Sequence, residues 1–287
     1  MHHLTPAHFV PWTVASPFRM VPGLSRLDAE PAPPLFVRDA LAPVYEAAKR
    51  AVLADPHRAP LGEADPAVLR AMADAYRQQT GVAVAPDAVA MSAAMQEDFV
   101  VLTDEPDGFR ARLLSVCFPS NWNPAEKRGL DFAAIHAPVA DNALLQSGAR
   151  GIMDLAFRQA PLLRHVWLLT PDGALAQHPE TRRTRWDEAL AAAGEQGRLI
   201  DRLFFRVERQ TTLPLPALRA GVFFIRVMVA PLADVLAVHP DRALALHAAL
   251  SSMTDAVLAY RGMTAVRPRL LAELGASGRP PLQGAAA

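Results

Sequence analysis

The stretch DFVVLTDEPDGFRARLLSVCF, residues 98–118, decides how this chain folds. Two apolar runs, 98–103 and 109–118, flank Glu105-Pro106-Asp107-Gly108, a turn-forming tetrad. The pattern predicts a hairpin and a pair of antiparallel strands. Three more strand-like runs follow: RHVWLLT at 164–170, closed by Pro171-Asp172-Gly173, then LFFRVER at 203–209 and GVFFIRVMV at 221–229. Helical segments fall between them, around 144–159 and 186–193. Hairpin connections with helices inserted between two groups of strands predict an α+β domain, a five-stranded antiparallel sheet with its helices segregated to one side.

Outward from the sheet, residues 1–36 are rich in proline, which forbids a long helix. Phe9, Trp12, Phe18 and Leu24 mark that segment as an arm laid over a core. The terminal His2 and His3 are given no ligand role. A helix is expected over 43–53, and another opens at Asp65-Pro66, an N-cap followed by proline at the first helical position. Leu69, Met72, Ala73 and Tyr76 then form one apolar stripe, and Gly81 ends it. The last helix, over 241–260, places Leu246, Leu250, Met253 and Val257 on one face. The expected organisation is an arm (1–36), one domain (37–262) and a tail (263–287), disordered from Gly278 to Ala287.

The 287 residues are 51% hydrophobic and 20% charged, a composition that supports a substantial core. Net charge is zero, so no global field favours nucleic acid or an anionic membrane. Basic charge is nearly all arginine, Lys49 and Lys127 being the two lysines. The single cysteine, Cys117, excludes an internal disulfide and any thiolate cluster, and it reads as a small core residue. No apolar run reaches about 18 residues and no leader pattern opens the chain, so a cytoplasmic protein is expected.

There is no Walker loop, no G-x-G-x-x-G after a strand, no H-E-x-x-H and no G-x-S-x-G. The punctuated segment that follows the hairpin, residues 115–139, is expected to be loop and short turns. It carries Trp122, Lys127 and His136 among apolar residues. A lone histidine argues against zinc, which takes three or four protein ligands, and suits haem, where the porphyrin supplies four. The alternative is a satisfied structural histidine. His165 reads as a half-buried strand residue on the face shared with Trp167. In 206–211, Arg206, Glu208 and Gln210 share one strand face and Arg209 lies opposite. Arg226 is a charge inside an apolar strand and needs an anion: a ligand carboxylate, or Glu208. Gln96-Glu97-Asp98 offers acids that could hold a cationic amine, or a solvated turn.

Taken in order, these stretches resemble the haem-dependent oxidative N-demethylase family, whose known activity is dimethylamine demethylation. The resemblance is carried by Pro17-Phe18-Arg19-Met20, Gly23-Leu24, Leu27-Asp28, Lys49-Arg50 and Gln96-Glu97-Asp98. It continues through Phe118-Pro119, Trp122, Lys127, Gly129, Ile135-His136, Pro138-Val139, Arg164, Trp167, Glu208-Arg209-Gln210-Thr211 and Phe224-Ile225-Arg226. It implies a PAS-like five-stranded sheet that binds haem b, and a monooxygenase-type reaction of O₂ with a small amine that yields formaldehyde. Electrons would come from a separate flavin and iron–sulfur reductase. His136 becomes the iron ligand, and Lys127, Arg209 and Arg226 partners for the haem propionates. Trp122 and Trp167 become pocket walls, Gln210 a cofactor contact, and Glu97 and Glu208 the carboxylates that hold the amine. Val166, Pro214 and Ala140 depart from the family pattern, which bears on the substrate more than on the haem. A haem-based gas or redox sensor of the same fold is the alternative, and a haem-free scaffold the third reading.

Overall fold

The computed structural model describes residues 4–28 and 32–277. His2, His3 and the segment 278–287 lie outside the described residues. In chain order come β1 (Ser25–Arg26), α1 (Ala42–Leu53), β2 (Leu61–Gly62), α2 (Pro66–Thr80), α3 (Ala88–Ala94), β3 (Asp98–Glu105) and β4 (Gly108–Ser115). Then follow α4 (Phe132–His136), α5 (Ala143–Asp154), β5 (Leu162–Thr170), α6 (Trp186–Ala193), β6 (Phe204–Leu215) and β7 (Ala220–Pro231). Four helices close the chain: α7 (Leu232–Ala237), α8 (Asp241–Ser251), α9 (Asp255–Tyr260) and α10 (Arg267–Ser277).

Local chemistry sets the bounds of these elements. Asp65 Oδ1 accepts from the Ala67 amide at 2.7 Å, satisfying a donor that the first turn of α2 leaves free. Gly81 ends α2 in the left-handed conformation, φ 74°, which glycine adopts without a Cβ penalty. The predicted hairpin forms with Glu105 opposite Gly108. The predicted helix over 241–260 is two helices: the chain breaks after Ser251, and the Thr254 side chain caps α9 through the Val257 amide at 3.2 Å. Much of the expected tail is α10, whose Leu270 and Leu274 are buried against the other C-terminal helices.

The sheet has seven antiparallel strands, in the order β1-β5-β6-β7-β3-β4-β2. This corrects the expected five. The two added strands are two residues long and pair at the ends of β5 and β4. Helices cover both faces of the sheet rather than one. Alternation along β6 names the faces. On the Arg209 face, Val207 and Trp167 meet the C-terminal helices, while Phe99, Val222 and Phe224 meet α2. On the Glu208 face, Val100 and Leu114 pack on α5 and on Phe157, while Ile225, Val227 and Val229 pack beside Tyr45 of α1.

Two further features hold the sheet's centre. β3 begins at Asp98 opposite Ile225, so the far end of β7 has no strand on that side. Its carbonyls are taken instead by the Tyr45 hydroxyl, which donates to Val227 at 2.5 Å, and by the Thr5 amide, which donates to Val229 at 2.8 Å. Beside them Lys49 Nζ lies 2.9 Å from Asp98 Oδ1, with both side chains fully buried. Lys49 also donates to the Glu97 carbonyl at 2.5 Å, and Asp98 Oδ2 accepts from the Phe118 amide at 2.7 Å.

Candidate functional site

The segment after β4 is built from short caps. Asn121 adopts φ 65°, a conformation asparagine tolerates. Asn123 Oδ1 caps a single turn over Pro124–Lys127 through the Ala125 amide at 3.0 Å. The Gly129 amide then donates to the Ala111 carbonyl at 2.7 Å, laying the segment along β4. Asp131 caps α4 through the Ala134 amide at 2.8 Å. His136 therefore ends a five-residue helix rather than sitting in an irregular loop.

That placement orients its ring. His136 Nδ1 donates to the Phe132 carbonyl one turn back, at 2.8 Å, which leaves Nε2 with its lone pair. Burial pushes the ring's pKa below the ordinary histidine value. The Phe132 carbonyl opposes the shift, and the nearby charges of Arg164 and Lys127 add to it. A neutral imidazole with one free nitrogen results. Asn142 Nδ2 holds the His136 carbonyl at 2.9 Å, and Asp141 accepts from Thr254 at 2.7 Å, tying the end of this segment to α9.

The opposing wall is the Glu208 face of β5 and β6. Arg164, Val166 and Leu168 stand opposite Gln210, Glu208 and Arg206 in register. Five of the six, Arg164, Val166, Leu168, Glu208 and Gln210, are half-buried rather than covered by the core. Arg206 is fully buried and donates to the carbonyls of Phe118 at 2.8 Å and Ala174 at 3.1 Å. Desolvation pushes its pKa down to about 10. Its Nε donates at 2.8 Å to Ser120, whose hydroxyl donates to Glu208. Gln210 Nε2 donates to the other Glu208 oxygen at 2.8 Å. Glu208 is thus fixed by two neutral donors. Trp122, Phe132 and Ile135 supply apolar surface on the same side.

The other expected site residues lie across the sheet. Arg209 donates to the carbonyls of Leu35, at 3.1 Å, and Pro34. Arg226 pairs with Asp39 at 2.8 Å and lies over the Tyr45 ring, so its anion is Asp39 and not Glu208, which faces Val227 in register. Glu97 accepts from the Val37 amide at 2.8 Å, and burial raises its pKa above the usual carboxylate value against the pull of Arg226 and Lys49. Trp167 stacks on Phe205, meets Phe18 edge-on and lies under Arg261. The structure therefore brings His136, Trp122, Lys127, Glu208 and Gln210 to one face. Glu97, Trp167, Arg209 and Arg226 are on the other, with the N-terminal arm packed among them.

Arg164, Ser120 and Arg206 belong to the His136 side and carry no site role in the sequence reading. Alternation groups Arg206 with Glu208, but nothing local links Ser120, 86 residues earlier, to them. Arg164 Nε is buried and has no hydrogen-bond partner. A neutral imidazole, apolar walls and the two cations Arg164 and Lys127 are the surroundings that a flat apolar macrocycle with carboxylates at its edge requires. Haem fits these residues. Two open concavities, about 580 Å³ around Gly62, Arg112 and Arg128 and about 360 Å³ around Pro171 and Phe204, are not lined by His136. Among the described residues no three His, Cys, Asp or Glu side chains gather as a metal cluster, and no helix is long and apolar enough to cross a membrane.

Cys117 is buried and desolvation pushes its thiol up to about 12, which agrees with a core role. The family model described as haem-dependent oxidative N-demethylase, alpha subunit-like, matches residues 76–271, which include α4, the β5–β6 wall and both faces of the sheet around them. With that match over most of its 287 residues, the chain belongs to the haem-dependent oxidative N-demethylase alpha subunit-like family.

Proposed function

We propose that the protein is a cytoplasmic haem-b enzyme that oxidises an N-methyl group of a small amine with O₂, with the haem held between α4 and the Glu208 face. The carrying observation is the His136 ring, neutral, fixed through Nδ1 and presenting Nε2. Bound haem would supply the iron at which O₂ is reduced and the methyl group oxidised. The balance is one amine, one O₂, two electrons and two protons, giving a carbinolamine and water; the carbinolamine then breaks its C–N bond to release formaldehyde and the demethylated amine. With one cysteine and no nucleotide motif in the chain, the two electrons are assigned to a separate flavin and iron–sulfur reductase.

The chain's own residues bind and position. Glu208, held by Ser120 and Gln210, pairs with the substrate ammonium and keeps its N–H proton localised. Trp122 and Val166 narrow the space beside it and exclude water, and Lys127 offers a cation to a carboxylate. Glu97, Trp167, Arg209 and Arg226 are read as supports of the opposite face, where each already has a protein partner. Arm, sheet and helices act as one domain in this reading.

The test is an absorbance titration with haem, with and without dithionite. Wild type and His247→Ala are expected to develop a Soret band, and His136→Ala to lose it or shift it. Retention of an unaltered band in His136→Ala, with loss in His165→Ala, would move the ligand to the other face.

A further inference from the structure

A cation in this pocket is left without an anion, and the reading above does not use it. Arg164 sits in β5 on the half-buried Glu208 face, one register step from Glu208. Every other buried arginine of the sheet has an acceptor or an ion-pair partner, although Arg226 also keeps Nε and Nη1 unbonded. Arg206 has the Phe118 and Ala174 carbonyls, Arg209 the Pro34 and Leu35 carbonyls, and Arg226 has Asp39. Arg261, on the far side, lies over the rings of Phe18 and Trp167. Arg164 has no such ring or acceptor among the described residues, and its Nε is buried without a hydrogen bond. The opposite charge that reaches it is Glu208, beyond ion-pair distance. Both Glu208 oxygens are already accepting, from Ser120 and Gln210.

A guanidinium in a desolvated position is a strong, planar donor to a carboxylate and is unfavourable when left alone. We infer that Arg164 is the carboxylate-binding residue of the His136 pocket. The inference rests on the haem reading. Two molecules could bring the carboxylate: the porphyrin, through a propionate, or the substrate itself, if it is an N-methylated amino acid whose ammonium Glu208 holds.

The experiment separates the two sources by binding rather than turnover. Protohaem and its dimethyl ester, which lacks the carboxylates, are titrated into wild type, Arg164→Gln and Arg164→Lys, followed by quenching of tryptophan fluorescence. N-methylglycine and dimethylamine are then titrated against the Soret band. If the porphyrin supplies the group, wild type binds protohaem roughly ten- to a hundredfold tighter than the ester, Arg164→Gln removes the difference, and Arg164→Lys restores part of it. If the substrate supplies it, wild type binds both porphyrins alike, and Arg164→Gln abolishes the response to N-methylglycine while keeping that to dimethylamine. Equal porphyrin affinities together with no N-methylglycine response in wild type overturn the inference and leave the haem reading standing, and this comparison needs no variant. Normal discrimination in Arg164→Gln overturns it as well. A wild type that takes up neither porphyrin overturns both readings.

Discussion

Lys49→Met should unfold the protein more readily than its position in a surface-lying helix suggests. The Lys49–Asp98 pair is fully buried, and the carboxylate it leaves behind keeps one backbone donor, the Phe118 amide. Methionine fills the volume of the lysine stem, so packing is conserved and the cost is mainly that of an uncompensated buried charge, about 3–5 kcal/mol. At about 2.1 cal/mol/K per residue, a chain of this length has an unfolding entropy of about 0.6 kcal/mol/K, which converts the loss into a drop in Tm of about 5–8 °C. Asp98→Asn should cost less than Lys49→Met, because Lys49 keeps the Glu97 carbonyl at 2.5 Å. In the double variant Lys49→Met/Asp98→Asn the losses should not add, with a coupling of about 2 kcal/mol or more. Urea unfolding of the four proteins measures each number. A single-variant loss below about 1 kcal/mol, the value of an exposed pair, refutes the argument from burial.

Glu208→Gln should leave haem uptake intact and abolish the Soret shift produced by small amines, together with formaldehyde release; an unchanged amine response assigns the ammonium to another group. The His136 ring resonances should titrate below roughly pH 6.5, and Arg164→Gln should raise that midpoint because a positive neighbour is removed. The sign of its linkage follows: with the folded pKa depressed, His136 contributes stability above the unfolded value and loses it as pH falls through the folded one. His165 and His178 act alike, both lowered chiefly by burial, while the raised Glu97 acts in the opposite sense, which is why the test is a single-residue NMR titration. Gly221→Ala would set a Cβ 2.7 Å from Phe157 Cβ and cost about 1–3 kcal/mol in urea unfolding, with Phe157→Leu relieving part of it.

Elements whose signals are local were legible in the sequence. Asp65-Pro66 and Gly81 mark both ends of α2, Pro106-Asp107 the hairpin turn, and the apolar runs the five long strands. The strands β1 and β2 were not, because two residues have no period and exist only through their partners. The break between α8 and α9 hides behind a continuous apolar stripe, since Leu246, Leu250, Met253 and Val257 are all buried although the backbone turns between them. For the site, alternation predicts that Arg206, Glu208 and Gln210 share a face, and they do. That Arg226 and Glu97 are divided from His136 by the sheet depends on the register of β7 against β6 and β3. Asp39 as the partner of Arg226 is a contact across 187 residues, which no local pattern carries.

The amides and hydroxyls that seal the free side of β7 come from the first part of the chain, Thr5 and Tyr45. An amino-terminal truncation that removes the proline-rich segment would therefore do more than shorten the protein. It would bare the Val229 carbonyl at the far end of β7, beside apolar Val227 and Val229, an opening at which a second chain can add a strand. Shortened or heavily tagged forms should be prone to self-association, and the oligomeric state measured on them would describe the exposed edge rather than the native protein.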